Sequence, residues 1–444
     1  MFELLIWLGV VIVGLGMWYA YAGSRDVFHP LMFIGPMMLF MYAWMPLKLY
    51  NSGGLDGFFQ IDQLVMVQSI NVFGMLCFVL GCLAPGCRLP SSQPAEAMSA
   101  RAARVLIVVA LVIGCLGFAA WAKTILEVGG LRAAFSSSYS GGWDDNGYVR
   151  DGALLMFPAF LLILAVSVRV GFKLSYIAMM LLFVGPWGIQ ALFTARRGPT
   201  FMIFMMIAMG WYLNRRKRPS LLATGAAGLL LGMLLLFLVT NRGNIYMGSD
   251  QQLSTDVVGI ADKADTGNEY VYGTGAILSA EQRHSFYWGR RYMAQIVVRP
   301  IPHSIWPNKY EDFGLPEMWH NGGTGEGFAE TLGWEGADGS APGIVADLWL
   351  EFRWLNFPFL FLMGQLYARA WRRTHTHGGP WITEYIMMSA LSIYFVMQTM
   401  EAVIFRLLIL SIPVWIAWFI AGQRAAPVPV DNSSDFAPQL PSAA

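Results

Sequence analysis

The chain has 444 residues, 56% of them hydrophobic and only 13% charged, with a formal net charge of +1. That composition, with its positive mean hydropathy, excludes an ordinary soluble globular protein and places the chain in a bilayer. A balance so close to neutral gives no sign of nucleic-acid binding.

Apolar runs of about 20 residues, enough to cross a ~30 Å hydrocarbon core, fall near 3–22, 30–50, 64–84, 103–122, 152–170, 174–194, 199–213 and 220–240. The first lacks a small-residue cleavage site after it and is expected to be a retained helix. The four cysteines, Cys77, Cys82, Cys87 and Cys115, fall in or beside the third and fourth runs, with a spacing that suits apolar packing rather than a zinc or redox motif. Between the fourth and fifth runs, Lys123 to Asp151 is polar and loop-like, and is expected to lie over the same cavity as the long loop that follows the eighth.

That loop, residues 241–342, is 102 residues long. A long loop rich in Arg, Trp, Pro and Gly points to chemistry at one membrane face, because a scaffold alone needs only short turns. Gly248 to Ala280 is acidic and expected to be irregular, whereas Gln282 to Val298 has the aromatic and β-branched content of an ordered segment, expected to form short helices. Apolar runs resume near 344–367, 381–399 and 402–421, and the Pro- and Ser-rich tail from 425 to 444 is expected to be disordered. The expected fold is an all-α polytopic membrane protein of about eleven transmembrane helices, organised as 1–240, 241–342, 343–424 and 425–444.

Alternate connections divide the cations unequally. One side receives fourteen Lys or Arg, among them Arg215, Arg216, Lys217 and Arg218, and the short connections of the other side only Lys123, Arg132, Arg150, Arg196 and Arg197. The positive-inside rule then places the C-terminus in the cytoplasm and the long loop outside.

The chemistry-bearing residues gather toward the outer side. Arg196 and Arg197 lie where the sixth run ends and the seventh begins, and Arg242 where the eighth ends. Guanidinium groups at one depth can clamp phosphate bidentately, although interfacial arginines also simply snorkel. The loop as a whole is acidic, with seven Lys or Arg against thirteen Asp or Glu. Its cations cluster at Arg290, Arg291, Arg299 and Lys309, with His303 among prolines that fix the backbone. Glu326 and Glu330, and likewise Asp347 and Glu351, are four apart and share a helix face if helical; solvated surface acids are the plainer expectation for both pairs. Arg406 lies inside the last run, five residues after Glu401 and on a different face, so it needs a partner from another helix or a ligand. No Walker A loop, His-Glu-x-x-His, Gly-x-Ser-x-Gly or Asp-x-Asp motif occurs, so no cofactor or metal is expected.

Three stretches together resemble the Wzy-type polymerases of bacterial O-antigen and exopolysaccharide repeat units. They are Arg197-Gly198 opening an outer-face helix, Arg-x-x-Pro-x-x-x-Trp-Pro-x-Lys over 299–309, and Gly-x-x-x-Asp-x-x-x-Glu-Phe over 343–352. Arg353 departs from the pattern, since such proteins often carry Gly there. The resemblance implies a glycosyltransferase of the bacterial inner membrane, acting on the periplasmic side. Its donor and acceptor would be polyprenyl-diphosphate-linked oligosaccharides, its surroundings membrane lipid, and a chain-length regulator protein would be a conceivable partner.

In that chemistry an acceptor hydroxyl attacks the anomeric carbon and expels a lipid diphosphate, whose growing charge arginines at the bilayer surface stabilise without a metal. Arg197, Arg242 and Arg299 are assigned to the diphosphate, with Arg196, Arg290 and Lys309 in reserve. His303 or Glu330 would deprotonate the acceptor, Asp347 being next in line, and Trp306, Trp319 and Trp334 would stack on sugars. A ligase that moves finished glycan onto a lipid core would share these features. A flippase or exporter should show internal repeats, and a membrane acyltransferase a His in mid-span; neither is visible in the sequence.

Overall fold

The computed structural model describes residues 1–88, 98–137, 147–256, 269–314 and 341–422, which form helices and connecting turns with no strand. Among the described residues, eight helices are long and apolar enough to cross a membrane. They are α1 (Phe2–Ser24), α2 (Pro30–Asn51), α3 (Ile61–Leu83), α4 (Ala100–Glu127), α5 (Val149–Val170), α6 (Leu174–Phe193), α8 (Leu221–Thr240) and α15 (Met400–Ala421).

The other three expected spans are helical but do not meet that standard of length and apolarity. The seventh is α7 (Arg197–Asn214), which begins with a charge. The ninth is broken into α11 (Gly343–Phe352) and α12 (Asn356–Thr376), and the tenth into α13 (Gly379–Ala390) and α14 (Ser392–Met397). The break between α11 and α12 sits at Arg353, whose φ of 49° and ψ of −121° belong to backbone that glycine adopts most easily. Arg353 thus stands at a position where glycine would fit without strain. Asn356 secures the break by donating from Nδ2 to the carbonyl of Val345 at 3.1 Å.

Small residues set the closest helix contacts, as they do where backbones pack inside a bilayer. On α3, a Cβ at Gly81 would lie 2.1 Å from the carbonyl oxygen of Phe361, and on α12 a Cβ at Gly364 would lie 2.4 Å from that of Phe78. The pair lets α12 run directly against α3 in the bundle. All four cysteines are free thiols, Cys82 and Cys87 buried and Cys115 exposed.

Within the long loop, α9 (Glu269–Arg283) is a regular helix whose residues 269–280 are all buried, so the irregular segment expected over 248–280 does not extend through this part. Gly273 lets α9 approach α11, where a Cβ would be 2.3 Å from the carbonyl oxygen of Pro342. Tyr270 donates to Gln68 at 3.3 Å and Gln68 donates to the carbonyl of Tyr42 at 2.8 Å, tying α9 to α3 and α2. The expected short helices after Gln282 are present as α10 (Arg290–Met293) followed by a π turn over Ala294–Val298.

Connections assigned to one side by the charge bias meet one another. At one end of the bundle the buried Asp26 pairs with Arg218, whose Nε lies 2.7 Å away, and accepts from Trp371 Nε1 at 3.0 Å and from the Phe28 amide at 2.9 Å, with His375 at 3.2 Å. At the other end, the Met247 amide donates to the Phe135 carbonyl at 2.7 Å, and Arg299 pairs with Asp151. Phe135 and Asp151, from the described parts of the Lys123–Asp151 segment, therefore meet the long loop.

Candidate functional site

Asp347 and Glu351 occupy one face of α11, and both are wholly buried. The expectation of solvated acids fails here. Their counter-charge is Arg291 from α10, itself fully buried, with Nη2 2.6 Å from Asp347 and Nε 2.5 Å from Glu351. Buried charges persist only when paired and hydrogen-bonded, and the remaining lone pairs are met accordingly. Asp347 also accepts from the Tyr292 hydroxyl at 2.6 Å and the Met400 amide at 2.8 Å, and Glu351 from the Gly289 amide at 2.6 Å. A third carboxylate, Glu401 in the first turn of α15, lies 3.9 Å from Arg291 Nε.

Beside this acidic cluster is a cationic one. Burial pulls the Arg196 guanidinium below its usual pKa; Tyr394 opposes that fall, and Arg242, Arg150 and Arg406 add to it. Arg150, Arg242 and Arg406, from three other parts of the chain, therefore each stand close enough to Arg196 to repel it. The arrangement is set by Gly198: a Cβ there would lie 1.9 Å from the Tyr394 hydroxyl, so glycine admits the tyrosine against the start of α7. Arg406 then stacks on the Tyr394 ring at 4.4 Å and donates to the Ala402 carbonyl at 2.8 Å. The partner required for Arg406 is thus supplied by α14 and by its own helix.

The structure brings together some of the predicted residues and separates others. Arg196 and Arg242 meet in the cationic cluster. Arg197, at the first position of α7, turns instead to the buried Glu269 of α9 and is paired with it. Arg299 is paired with Asp151, receives support from Gln295 at 2.8 Å and lies 3.7 Å over the Phe405 ring of α15. Arg290 is exposed. Lys309 is fully buried and donates to the carbonyls of Arg299 at 3.1 Å and Ile301 at 2.5 Å. It closes the loop on itself, and a fully buried ammonium held this way is poorly placed to take a diphosphate.

His303 is exposed, with Nδ1 2.9 Å from the Pro307 carbonyl, and Trp306 is half-buried and donates to Asp312 at 2.5 Å. Glu326, Glu330, Trp319 and Trp334 lie outside the described residues. Among the described residues no group of three or more His, Cys, Asp or Glu could hold a metal ion.

Sequence reasoning gave no role to Arg291, Tyr394, Glu269 or Asp151. The signal for Arg291 was present, a cation among aromatic residues ahead of two acids spaced four apart, but its burial depends on α10 and α11 meeting across more than fifty residues of chain. No protein-family model, curated protein or solved structure matches the chain.

Proposed function

We propose that the protein is a polymerase of polyprenyl-diphosphate-linked oligosaccharide repeat units, crossing the bacterial inner membrane eleven times and acting at its periplasmic face. The observation that carries this reading is the approach of Arg150, Arg242 and Arg406 to Arg196, with Arg406 stacked on Tyr394. Like charges held together in a partly dry site are costly to assemble, and the arrangement is stabilised when an anion enters. A lipid diphosphate supplies that anion at the membrane surface.

In the proposed reaction the cluster holds the donor diphosphate while a hydroxyl of the acceptor glycan attacks the anomeric carbon. The bond from that carbon to the phosphate oxygen breaks, its electron pair stays on the diphosphate, and fixed guanidinium groups stabilise the charge as it grows. Arg197 and Arg299 border the cluster, each already oriented by a carboxylate partner, which fixes the fork before substrate arrives.

Purified protein in proteoliposomes, given lipid-linked repeat units alone, should produce a ladder of increasing repeat number that remains on the polyprenyl diphosphate. No ladder until a second acceptor lipid is added would identify a ligase instead. Movement of the substrate across the bilayer with its size unchanged would identify a flippase and overturn the proposal.

A further inference from the structure

The acidic cluster beside the arginines contains more negative charge than its own cation can balance. Three carboxylates, Asp347, Glu351 and Glu401, face the single guanidinium of Arg291. Two of them are fully committed: Asp347 to Arg291, the Tyr292 hydroxyl and the Met400 amide, Glu351 to Arg291 and the Gly289 amide. Asp347, the reserve candidate for the base, is therefore tied up and wholly buried. Glu401 differs from both. It sits at the longest distance from Arg291, and its side chain keeps 16% exposure although Oε1 itself is buried; that oxygen has no hydrogen-bond partner among the described residues.

Its position is as telling as its bonding. Glu401 lies one helical turn before Phe405, the ring that carries the Arg299 guanidinium, and residues four apart share a helix face. Arg406, next along the same helix, belongs to the cationic cluster. The first two turns of α15 thus carry a carboxylate with a vacant oxygen and border both the Arg299 site and the four-arginine cluster. A general base must stand within hydrogen-bond reach of the proton it removes, and for glycosyl transfer that proton is next to the departing diphosphate.

We infer that Glu401 is the general base of the transfer, taking the proton from the acceptor hydroxyl as the oxygen bonds to the anomeric carbon. The inference rests on the polymerase reading. The O–H bond of the acceptor breaks toward the Glu401 carboxylate, the new glycosidic C–O bond forms, the donor C–O bond breaks, and the electron pair leaves on the diphosphate. The proton then passes from Glu401 to water, restoring the carboxylate. Arg291, bound to the other two acids, acts as a positioning residue that keeps a cation 3.9 Å from Glu401 Oε1 without a hydrogen bond to it.

The test uses the full chain in proteoliposomes with a lipid-linked repeat unit. Glu401→Gln should lower the extension rate at saturating substrate by at least about 100-fold, the usual contribution of a positioned base, with little change in the affinity for the diphosphate lipid. It should also abolish the fall of rate on the acid side of the pH profile. The groups that face Glu401 and would still titrate or hold charge are Arg291, Asp347, Glu351, Arg299 and Tyr287. Glu401→Asp keeps the charge but draws the carboxylate back by one methylene, and should lose at least about tenfold, since a misplacement near 1 Å can cost 100-fold.

If Glu401→Gln fails to accumulate, Glu401→Asp decides. Wild-type extension by a folded Gln variant, or by the Asp variant, overturns the assignment of the base while the polymerase reading stands. Absence of any ladder from wild-type protein overturns both.

Discussion

Replacing Arg291 by methionine removes the one cation from a set of three carboxylates, two of which have no exposure at all. Methionine fills similar space, so the main loss is electrostatic. Breaking a buried ion pair typically costs about 3–5 kcal/mol, because the partner is left charged in a medium that solvates it poorly. Two pairs are broken here, yet the Tyr292 hydroxyl and the Met400 and Gly289 amides remain on the acids, and proton uptake by one acid caps the penalty. A total near 4 kcal/mol follows.

The sign of its pH dependence also follows. Without Arg291 the folded state binds a proton more tightly than the unfolded chain, so the variant should regain stability as pH falls. Adding Asp347→Asn and Glu351→Gln to Arg291→Met should restore most of the loss, since a neutral replacement of a buried cluster is often nearly isoenergetic. Reversible unfolding in mixed micelles, followed by tryptophan fluorescence, measures all three. A cost below about 1 kcal/mol for Arg291→Met would refute the reasoning, because losses that small belong to solvated surface pairs.

Gly198→Ala should destabilise by about 1–3 kcal/mol, as overpacking does, and Tyr394→Phe should not relieve it, because the ring Cζ would itself lie 2.3 Å from the new Cβ; unfolding of the double variant at wild-type stability would contradict this. At the opposite end of the bundle, burial lowers His29 from 6.5 to about 4 with Asp26 opposing the shift, so its contribution is complete above the unfolded pKa and is lost as pH falls from 6.5 toward 4. The span corresponds to about 3 kcal/mol at 1.36 kcal/mol per unit. His29→Asn keeps an N-cap acceptor for the Leu31 amide and should flatten stability across that window; an unchanged pH dependence would show that His29 titrates normally. At Arg353, Gly should be more stable than Ala by about 1 kcal/mol, the reverse of the order inside a helix, because φ is 49° there; unfolding midpoints in the usual order would show that the turn is unstrained.

The eight long apolar spans were legible because hydropathy over 20 residues is decided by the bilayer alone. Breaks within spans were not, since the turn at Arg353 and the interruption near Leu391 carry no proline or glycine to mark them. The buried helix α9 escaped notice for a related reason: its Tyr, Thr, Ser and Gly residues are too polar for a span, and its burial comes from Tyr270, Val271, Ile277 and Leu278 joining the bundle core. The shared face of Asp347 and Glu351 could be read from their spacing, but their burial could not, because it depends on a distant arginine. Lys309 shows how a cationic residue can mislead. Proline at 300, 302 and 307 removes amide donors from that stretch, so the carbonyls of Arg299 and Ile301 take the lysine ammonium in their place.

The central claim is that fixed arginines, with no added metal or nucleotide, stabilise a departing lipid diphosphate. The most direct measurement is the initial rate of repeat-unit extension in proteoliposomes containing EDTA, for wild-type protein and for Arg196→Ala, Arg197→Ala, Arg242→Ala and Arg299→Ala. The account predicts a wild-type rate unaffected by chelation. Each variant that inserts should lose about 3–4 kcal/mol of transition-state stabilisation, a fall of roughly 100- to 1000-fold. An absolute requirement for Mg²⁺ or Mn²⁺, or full activity in all four variants, would contradict it.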